Sequence, residues 1–308
     1  MKIERVRVIG PGGVGGYYGG KLAAKGEASV DFVARGAHGR AMAEEGLRVR
    51  SYQGDFAVRA RVHETVPADG AADLVLVCVK DRDLDAVIPS LAATLAPGGV
   101  VLPLLNGLDA EARIASVVGK DRVLGGIAFI GAGVAGPGVI EHRSRGSIGV
   151  GELDGEPGAR VDAICRLFEA AGVEVRPLPD LKQAKWIKLA WNNAFNPPTA
   201  LTGLLVGPLL RVPELAALAR TLIEEVYAVA EAEGVALPPG LAELYIHGLP
   251  DLEEVETSML QDMKSGRPLE AEAIAGALVR LADARGVAVP ANRAIYALLK
   301  GINAARGG

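Results

Sequence analysis

The stretch that most constrains this chain is residues 6–20, VRVIGPGGVGGYYGG. A short β-branched run ends at Gly10, and Gly10, Gly12 and Gly15 keep the G-x-G-x-x-G spacing of a turn that opens a helix beneath a dinucleotide pyrophosphate. Gly10 allows the sharp turn, Gly12 lets backbone approach phosphate without a Cβ in the way, and Gly15 lets the new helix pack closely on its strand. The helix N-terminus then offers unpaired N–H groups and partial positive charge to an anion. With 40 glycines among 308 residues the spacing recurs easily by chance, so its context carries the reading. A strand precedes it, the helix-compatible GYYGGKLAAKG follows at 16–26, and a second strand, ASVDFVA, runs over 28–34.

The second strand bears on which dinucleotide is bound. An acidic residue about 20 positions past the glycines accepts hydrogen bonds from a ribose 2′-OH, whereas an arginine there suits a 2′-phosphate. Arg35 follows the strand and no Asp or Glu stands there, which points to NADP(H) over NAD(H). A solvated arginine at a strand end is the plainer alternative. His38 and Arg40 lie nearby and read as loop polarity.

Length, charge and cysteines narrow the class. At 308 residues the chain exceeds the usual single domain, so two are expected. A net charge of −4, with no Lys/Arg cluster, argues against a nucleic-acid binder. Cys78 and Cys165 sit inside apolar patterns as small buried hydrophobes, and no ligand spacing calls for a metal. The N-terminus enters a strand directly, and no apolar run approaches membrane-span length. A soluble, cytoplasmic protein without a membrane partner is the expectation.

The first half alternates strands with helices: a polar helix at 39–45, β-like pieces over 47–58, a buried strand at 72–79, a helix at 83–95 closed by Pro97-Gly98-Gly99, and a strand at 100–105. Such alternation implies a parallel, doubly wound sheet whose ligands sit beyond the carboxyl ends of the strands. Gly10, Arg35, Lys80 and Asn106 all stand at such ends. Past Val123, glycine-punctuated strands read as antiparallel additions to that sheet, and His142 within them reads as structural. A helix is expected at 160–171 and a short strand at 173–176. From Leu181 onward nearly everything is helical, with apolar periodicity over 215–234, 241–247, 252–264, 269–286 and 292–301. The expected domains are therefore 1–180 and 181–308.

Residues 183–196, QAKWIKLAWNNAFN, precede Pro197-Pro198. Lys188, Asn192 and Asn196 are spaced i, i+4, i+8 and share one face of a continuous helix, although the proline after Asn196 disfavours helix there and a kink or end is expected. Asparagine is a poor helix former, so its repetition on one face reads either as ligand binding or as a solvated polar face. Trp186 and Trp191 read as core. Farther on, Ser258 lies in TSMLQD on a helix ending near Gly266, and Pro268 begins another with Glu270 in its first turn, where the dipole alone favours it.

The combination of VIGPGGVGG, the arginine ending strand two, CVK, LNG, KLAWNNAFNPPTALTG, SMLQDM and PLEAE resembles the ketopantoate reductase (2-dehydropantoate 2-reductase) family over nearly the whole chain and in order. The resemblance implies an α/β fold, a doubly wound Rossmann-type sheet followed by an all-helical C-terminal domain of the 6-phosphogluconate-dehydrogenase-like kind. It implies NADPH-dependent reduction of a small 2-oxo acid, as in pantothenate and coenzyme A biosynthesis. By it Gly10, Gly12, Gly13, Val14, Gly15 and Arg35 hold the cofactor, Lys80 lies near its 2′-phosphate, and Asn106 near the nicotinamide ribose and substrate. Lys188 would be the general acid, Asn192 and Asn196 would hold substrate hydroxyl and carbonyl groups, Ser258 the carboxylate, and Glu270 would orient Lys188 and contact the cofactor.

Departures accompany the likeness. Leu105 precedes Asn106 where glutamine is usual, Asp81-Arg82-Asp83 follows Lys80 where a glutamine is frequent near position 83, and Val206 occupies a position where some members carry asparagine. These put the particular 2-oxo acid in question more than the reaction. Reduction of another small 2-oxo acid, or a non-catalytic NADPH-binding regulator, are the alternatives, and the apolar helical domain makes a homodimer an expectation.

Overall fold

The computed structural model describes residues 1–307. It divides into two compact units, Met1–Leu105 with Asp109–Leu181, and Asn106–Leu108 with Lys182–Gly308.

The first unit is built on the strands β1 (Arg5–Ile9), β2 (Ser29–Val33), β3 (Leu47–Ser51), β4 (Phe56–Val58), β5 (Arg61–His63), β6 (Ala72–Val77), β7 (Leu95–Pro103), β8 (Leu124–Gly136), β9 (Val139–Glu152) and β10 (Val175–Pro177). Five of them make an all-parallel sheet in the order β5-β2-β1-β6-β7. The runs VRVI and LVLV fill its centre because parallel strands are covered on both faces, and Val6, Val8, Leu74 and Leu76 are fully buried. Helices α1 (Gly13–Lys25), α2 (Gly36–Glu45), α3 (Asp81–Thr94), α4 (Ala110–Val118) and α5 (Ala159–Ala170) accompany the strands.

The glycine-punctuated strands past Val123 do not extend that sheet as expected. They form a second one, ordered β10-β9-β3-β4, in which β8 pairs antiparallel with β9 while β9 runs parallel to both β3 and β10. Residues 139–152 are one 14-residue strand with register shifts against β8. The physical reason lies in α1, which is filled between the two sheets. A Cβ on Gly19 would lie 2.7 Å from Val8 and Phe32 of the first sheet, and one on Gly16 would lie 2.6 Å from Ile140 of the second. Glycines on both faces let the helix approach both sheets, at a known cost in helix propensity.

The second unit is helical: α6 (Leu181–Thr202), α7 (Val206–Leu210), α8 (Pro213–Ala232), α9 (Leu241–Glu243) running into a π turn at Leu244–Gly248, α10 (Ser258–Lys264), a π turn at Glu272–Gly276 running into α11 (Ala277–Arg285), and α12 (Pro290–Ala305). Its core joins Trp186, Phe195, Leu222, Val226, Ile274 and Leu278. Pro213 and Pro290 stand at helix starts, where a missing N–H costs nothing.

Three expectations change here. The helix expected from 252 begins only at Ser258, because Thr257 caps it by accepting the Leu260 N–H at 3.2 Å. Residues 197 and 198 do not break α6, which continues to Thr202. The two prolines remove helix donors, and the hydroxyls of Thr199 and Thr202 add donors nearby, to the carbonyls of Phe195 and Pro198, each at 2.7 Å. Glu270 lies before the helical turn that starts at Glu272, not within it. Among the described residues no helix is long and apolar enough to cross a membrane.

Candidate active site

The glycine turn is made by backbone alone. Gly10 takes φ +83°, and a Cβ there would stand 2.9 Å from the Val79 nitrogen. The Gly12 N–H turns back to the Gly10 carbonyl at 2.8 Å, and α1 starts at Gly13 with Gly12 as its cap. Gly15 answers a packing demand, since its Cβ would fall 2.5 Å from the Gly10 carbonyl oxygen. Gly12 answers none: a Cβ there would meet nothing within 4 Å. No protein contact therefore explains the missing side chain at Gly12, whereas a close-lying ligand would. The first turn of α1 carries no acidic residue, and by helix geometry its leading N–H groups have no partner within the helix. The cradle fits a pyrophosphate.

Sheet order sets what flanks this turn. β2, β1 and β6 are neighbours, so Arg35, Gly10 and Lys80 follow the carboxyl ends of three adjacent strands. Arg35 caps α2 and Lys80 caps α3. Arg35 is 76% exposed, and its Nη2 lies 3.8 Å from Oδ1 of Asp83, a partner the spacing of the sequence did not bring out. His38 is also more than loop polarity. One ring nitrogen bonds the Pro11 carbonyl at 2.9 Å and the other accepts the Gly138 N–H at 3.2 Å, so Nε2 carries the proton and the ring ties the glycine turn to the β8–β9 hairpin. His142 is buried, stacked 4.0 Å from Tyr17, and bonded to Ser51 and the Arg145 carbonyl. Burial pushes its pKa down, which suits a neutral structural ring. Cys78 and Cys165 are free thiols, raised by burial.

In the second unit, the continuity of α6 puts Lys188, Asn192 and Asn196 on one stripe. The asparagines are not a solvated face, being 5% and 3% exposed. Nδ2 of Asn192 has no hydrogen-bond partner among the described residues. A buried donor left unpaired costs roughly 1–3 kcal/mol, so its persistence points to a ligand that completes it. Lys188 is half-buried, and its amine is pushed down to about 8, chiefly by burial and further by Lys185, against the opposing pull of Glu270. Lys185, itself buried and three residues earlier, escaped the sequence reading, although i, i+3 spacing places it beside Lys188.

Glu270, half-buried, also accepts a hydrogen bond from Nδ2 of Asn106 at 3.2 Å. Lys188, Glu270 and Asn106 thus belong to one charged and hydrogen-bonded cluster drawn from three separate segments. Ser258 stands exposed as the first residue of α10. Its neighbour Thr257 shares a 2.7 Å hydroxyl bond with Thr199, which ties the start of α10 to α6. Val206 is fully buried in the apolar core. Trp186 is buried as expected, and Trp191 packs edge-on against Tyr245 at 5.3 Å. Among the described residues no three His, Cys, Asp or Glu group together as metal ligands.

Fold and site together define a class, an α/β oxidoreductase with a Rossmann-type sheet and an all-helical second unit. Residues 6–155 match the family described as Ketopantoate reductase PanE/ApbA, and residues 180–303 match Ketopantoate reductase PanE/ApbA C terminal. The chain belongs to the ketopantoate reductase family. It is 32% identical to a 2-dehydropantoate 2-reductase of Mesorhizobium japonicum, over 98% of this chain and 99% of that protein. A 2-dehydropantoate 2-reductase of Halobacterium salinarum is 34% identical, over 96% and 98%. The crystal structure of a PanE/ApbA family ketopantoate reductase from Ralstonia eutropha superposes with a TM-score of 0.90 at 33% identity, covering 99% of this chain and all of that one.

Proposed function

We propose that this chain reduces 2-dehydropantoate to pantoate with NADPH, a step of pantothenate and coenzyme A biosynthesis. The observation that carries the reading is Lys188, a half-buried amine pushed down to about 8 on one helix face with buried Asn192 and Asn196 and within the field of Glu270. The names of its relatives support the substrate. In this reading residues 1–180 are the NADP-binding domain and 181–308 the substrate and catalytic domain.

NADPH, when bound, supplies a hydride to the C2 carbonyl. Backbone N–H groups of Gly13, Val14 and Gly15, at the open start of α1, hold the pyrophosphate, and the missing side chain of Gly12 leaves room for it beside the turn at Gly10. Arg35 and Lys80 meet the 2′-phosphate, and Asn106 and Glu270 the nicotinamide ribose. Asn192 and Asn196 hold the substrate's hydroxyl and carbonyl groups and Ser258 its carboxylate. The Lys188 ammonium stabilises the negative charge that develops on the C2 oxygen and then delivers its proton there. A lysine near 8 suits this task, since it is protonated at neutral pH yet gives up its proton more readily than an ordinary lysine. Glu270 keeps the amine oriented.

A panel of 2-oxo acids, with NADPH oxidation followed by absorbance, tests the reading. The highest kcat/KM is expected on 2-dehydropantoate. A second reading, another small 2-oxo acid, is favoured by Val206, which offers an apolar core residue where some family members carry an amide. A tenfold preference for a different 2-oxo acid would select it. Tight NADPH binding without oxidation on any acid would leave a cofactor-binding regulator. The same preparation on a sizing column tests the expected homodimer.

A further inference from the structure

We propose that Asp83 sets the cofactor preference, by competing with the cofactor 2′-phosphate for Arg35 so that the chain accepts NADH beside NADPH. The inference rests on the reading that Arg35 meets the 2′-phosphate.

Helix α3 opens with three carboxylates on alternate residues, Asp81, Asp83 and Asp85. Asp81 and Asp85, four apart, share a face, and Arg113 of α4 takes both, at 2.6 and 2.7 Å. Asp83 falls on another side of the helix and is left out of that cluster. Its Oδ1 lies 3.8 Å from Nη2 of Arg35, and its Oδ2 lies 3.8 Å from Nε of its neighbour Arg82. Arg35 and Asp83 are 76% and 39% exposed, so the pair is open to solvent and to a ligand, and little stability rides on it.

The consequence is electrostatic. A 2′-phosphate dianion bound at Arg35 brings its charge close to the Asp83 carboxylate, and like charges at such range repel. A ribose 2′-OH suffers no such repulsion and can donate a hydrogen bond to a carboxylate. Asp83 thus offers, from α3, the acidic acceptor that the end of β2 lacks, while Arg35 offers the cation for the phosphate. A purely structural role is the alternative, because a first-turn aspartate is favoured by the helix dipole. That role predicts an effect on stability and none on the ratio of the two cofactors.

The test is the dissociation constant of NADPH and of NADH, by quenching of protein fluorescence, for the native chain, Asp83→Asn and Arg35→Ala. Asp83→Asn is expected to tighten NADPH roughly three- to tenfold and to weaken NADH or leave it unchanged, with the gap closing as salt screens the charges. Arg35→Ala is expected to weaken NADPH alone. If Arg35→Ala lowers the NADPH preference while Asp83→Asn leaves the ratio within about twofold, the inference on Asp83 is overturned and the assignment of Arg35 stands. If neither variant changes the ratio, both are overturned.

Discussion

The glycine turn of the first unit and the lysine stripe of the second solve the problem of presenting polar groups in opposite ways. The turn uses backbone N–H groups and removes side chains, so its specificity is a matter of space: Gly15 is glycine because protein atoms crowd it, and Gly12 although nothing does. The stripe uses side chains and buries them, so its specificity is a matter of cost: a half-buried amine and two buried amides, one of them with an orphaned donor, persist along α6. A site made by omission suits an anion and adds no reacting group of its own. A site made by costly inclusion is where chemistry is expected.

The sharpest way to break this contrast is Lys188→Ala. Turnover should fall by about 10²–10⁴, the usual worth of a positioned general acid, while the NADPH dissociation constant stays within about twofold. Lost cofactor affinity with residual turnover would reverse the two roles. Next come two changes in the turn that differ only in position. Gly15→Ala should destabilise the fold by about 1–3 kcal/mol in thermal or urea unfolding, because its Cβ strikes backbone. Gly12→Ala should leave stability nearly unchanged and weaken NADPH about tenfold, about 1.4 kcal/mol. Equal stability losses in both would show that Gly12 is a packing glycine after all.

The pH dependence sharpens the same comparison on the lysine side. As the proposed general acid, Lys188 has to be protonated and lies near 8, so reductive kcat/KM should be flat below pH 8 and fall up to tenfold per unit above it. Because Glu270 holds that value up, Glu270→Gln should move the falling limb to lower pH. Stability runs the other way. The folded pKa is depressed below that of an ordinary lysine, so the unfolded chain binds the extra proton between about 8 and 10.5, and stability rises with pH across that window. The penalty is fully present below 8, and Lys188→Met should therefore raise the melting temperature at neutral pH while lowering turnover as Lys188→Ala does.

How much was legible in the sequence follows the same division. The β-strand, glycine turn and Arg35 are spelled out over thirty consecutive residues, and the i, i+4, i+8 spacing of Lys188, Asn192 and Asn196 needs only a continuous helix. What the sequence hid depends on distant partners. The β8–β9 hairpin joins a separate sheet because β3, some 90 residues earlier, runs parallel to β9, and no local pattern announces that pairing. The continuation of α6 through Pro197 and Pro198 ran against a sound local rule, with Thr199 and Thr202 hydroxyls donating to carbonyls beside the break. Glu270 read as a dipole-favoured first-turn residue, whereas the turn starts at Glu272 and Glu270 faces Asn106 and Lys188.

The smallest expected effect is the most discriminating between cost and use. Asn192 is 5% exposed and its Nδ2 has no partner among the described residues, so Asn192→Leu removes an unpaired donor and fills the same space with apolar atoms. If the amide is held for a ligand, the variant should fold as well as the native chain or better, by up to about 1 kcal/mol, a few degrees in melting temperature. Its KM for the 2-oxo acid should rise several-fold while the NADPH dissociation constant does not move. If instead the amide serves packing, through contacts that leucine cannot reproduce, stability should fall by about 1–2 kcal/mol with KM unchanged. The two outcomes separate a residue kept in spite of its cost from one kept because of its shape, which is the distinction that sets the stripe apart from the glycine turn.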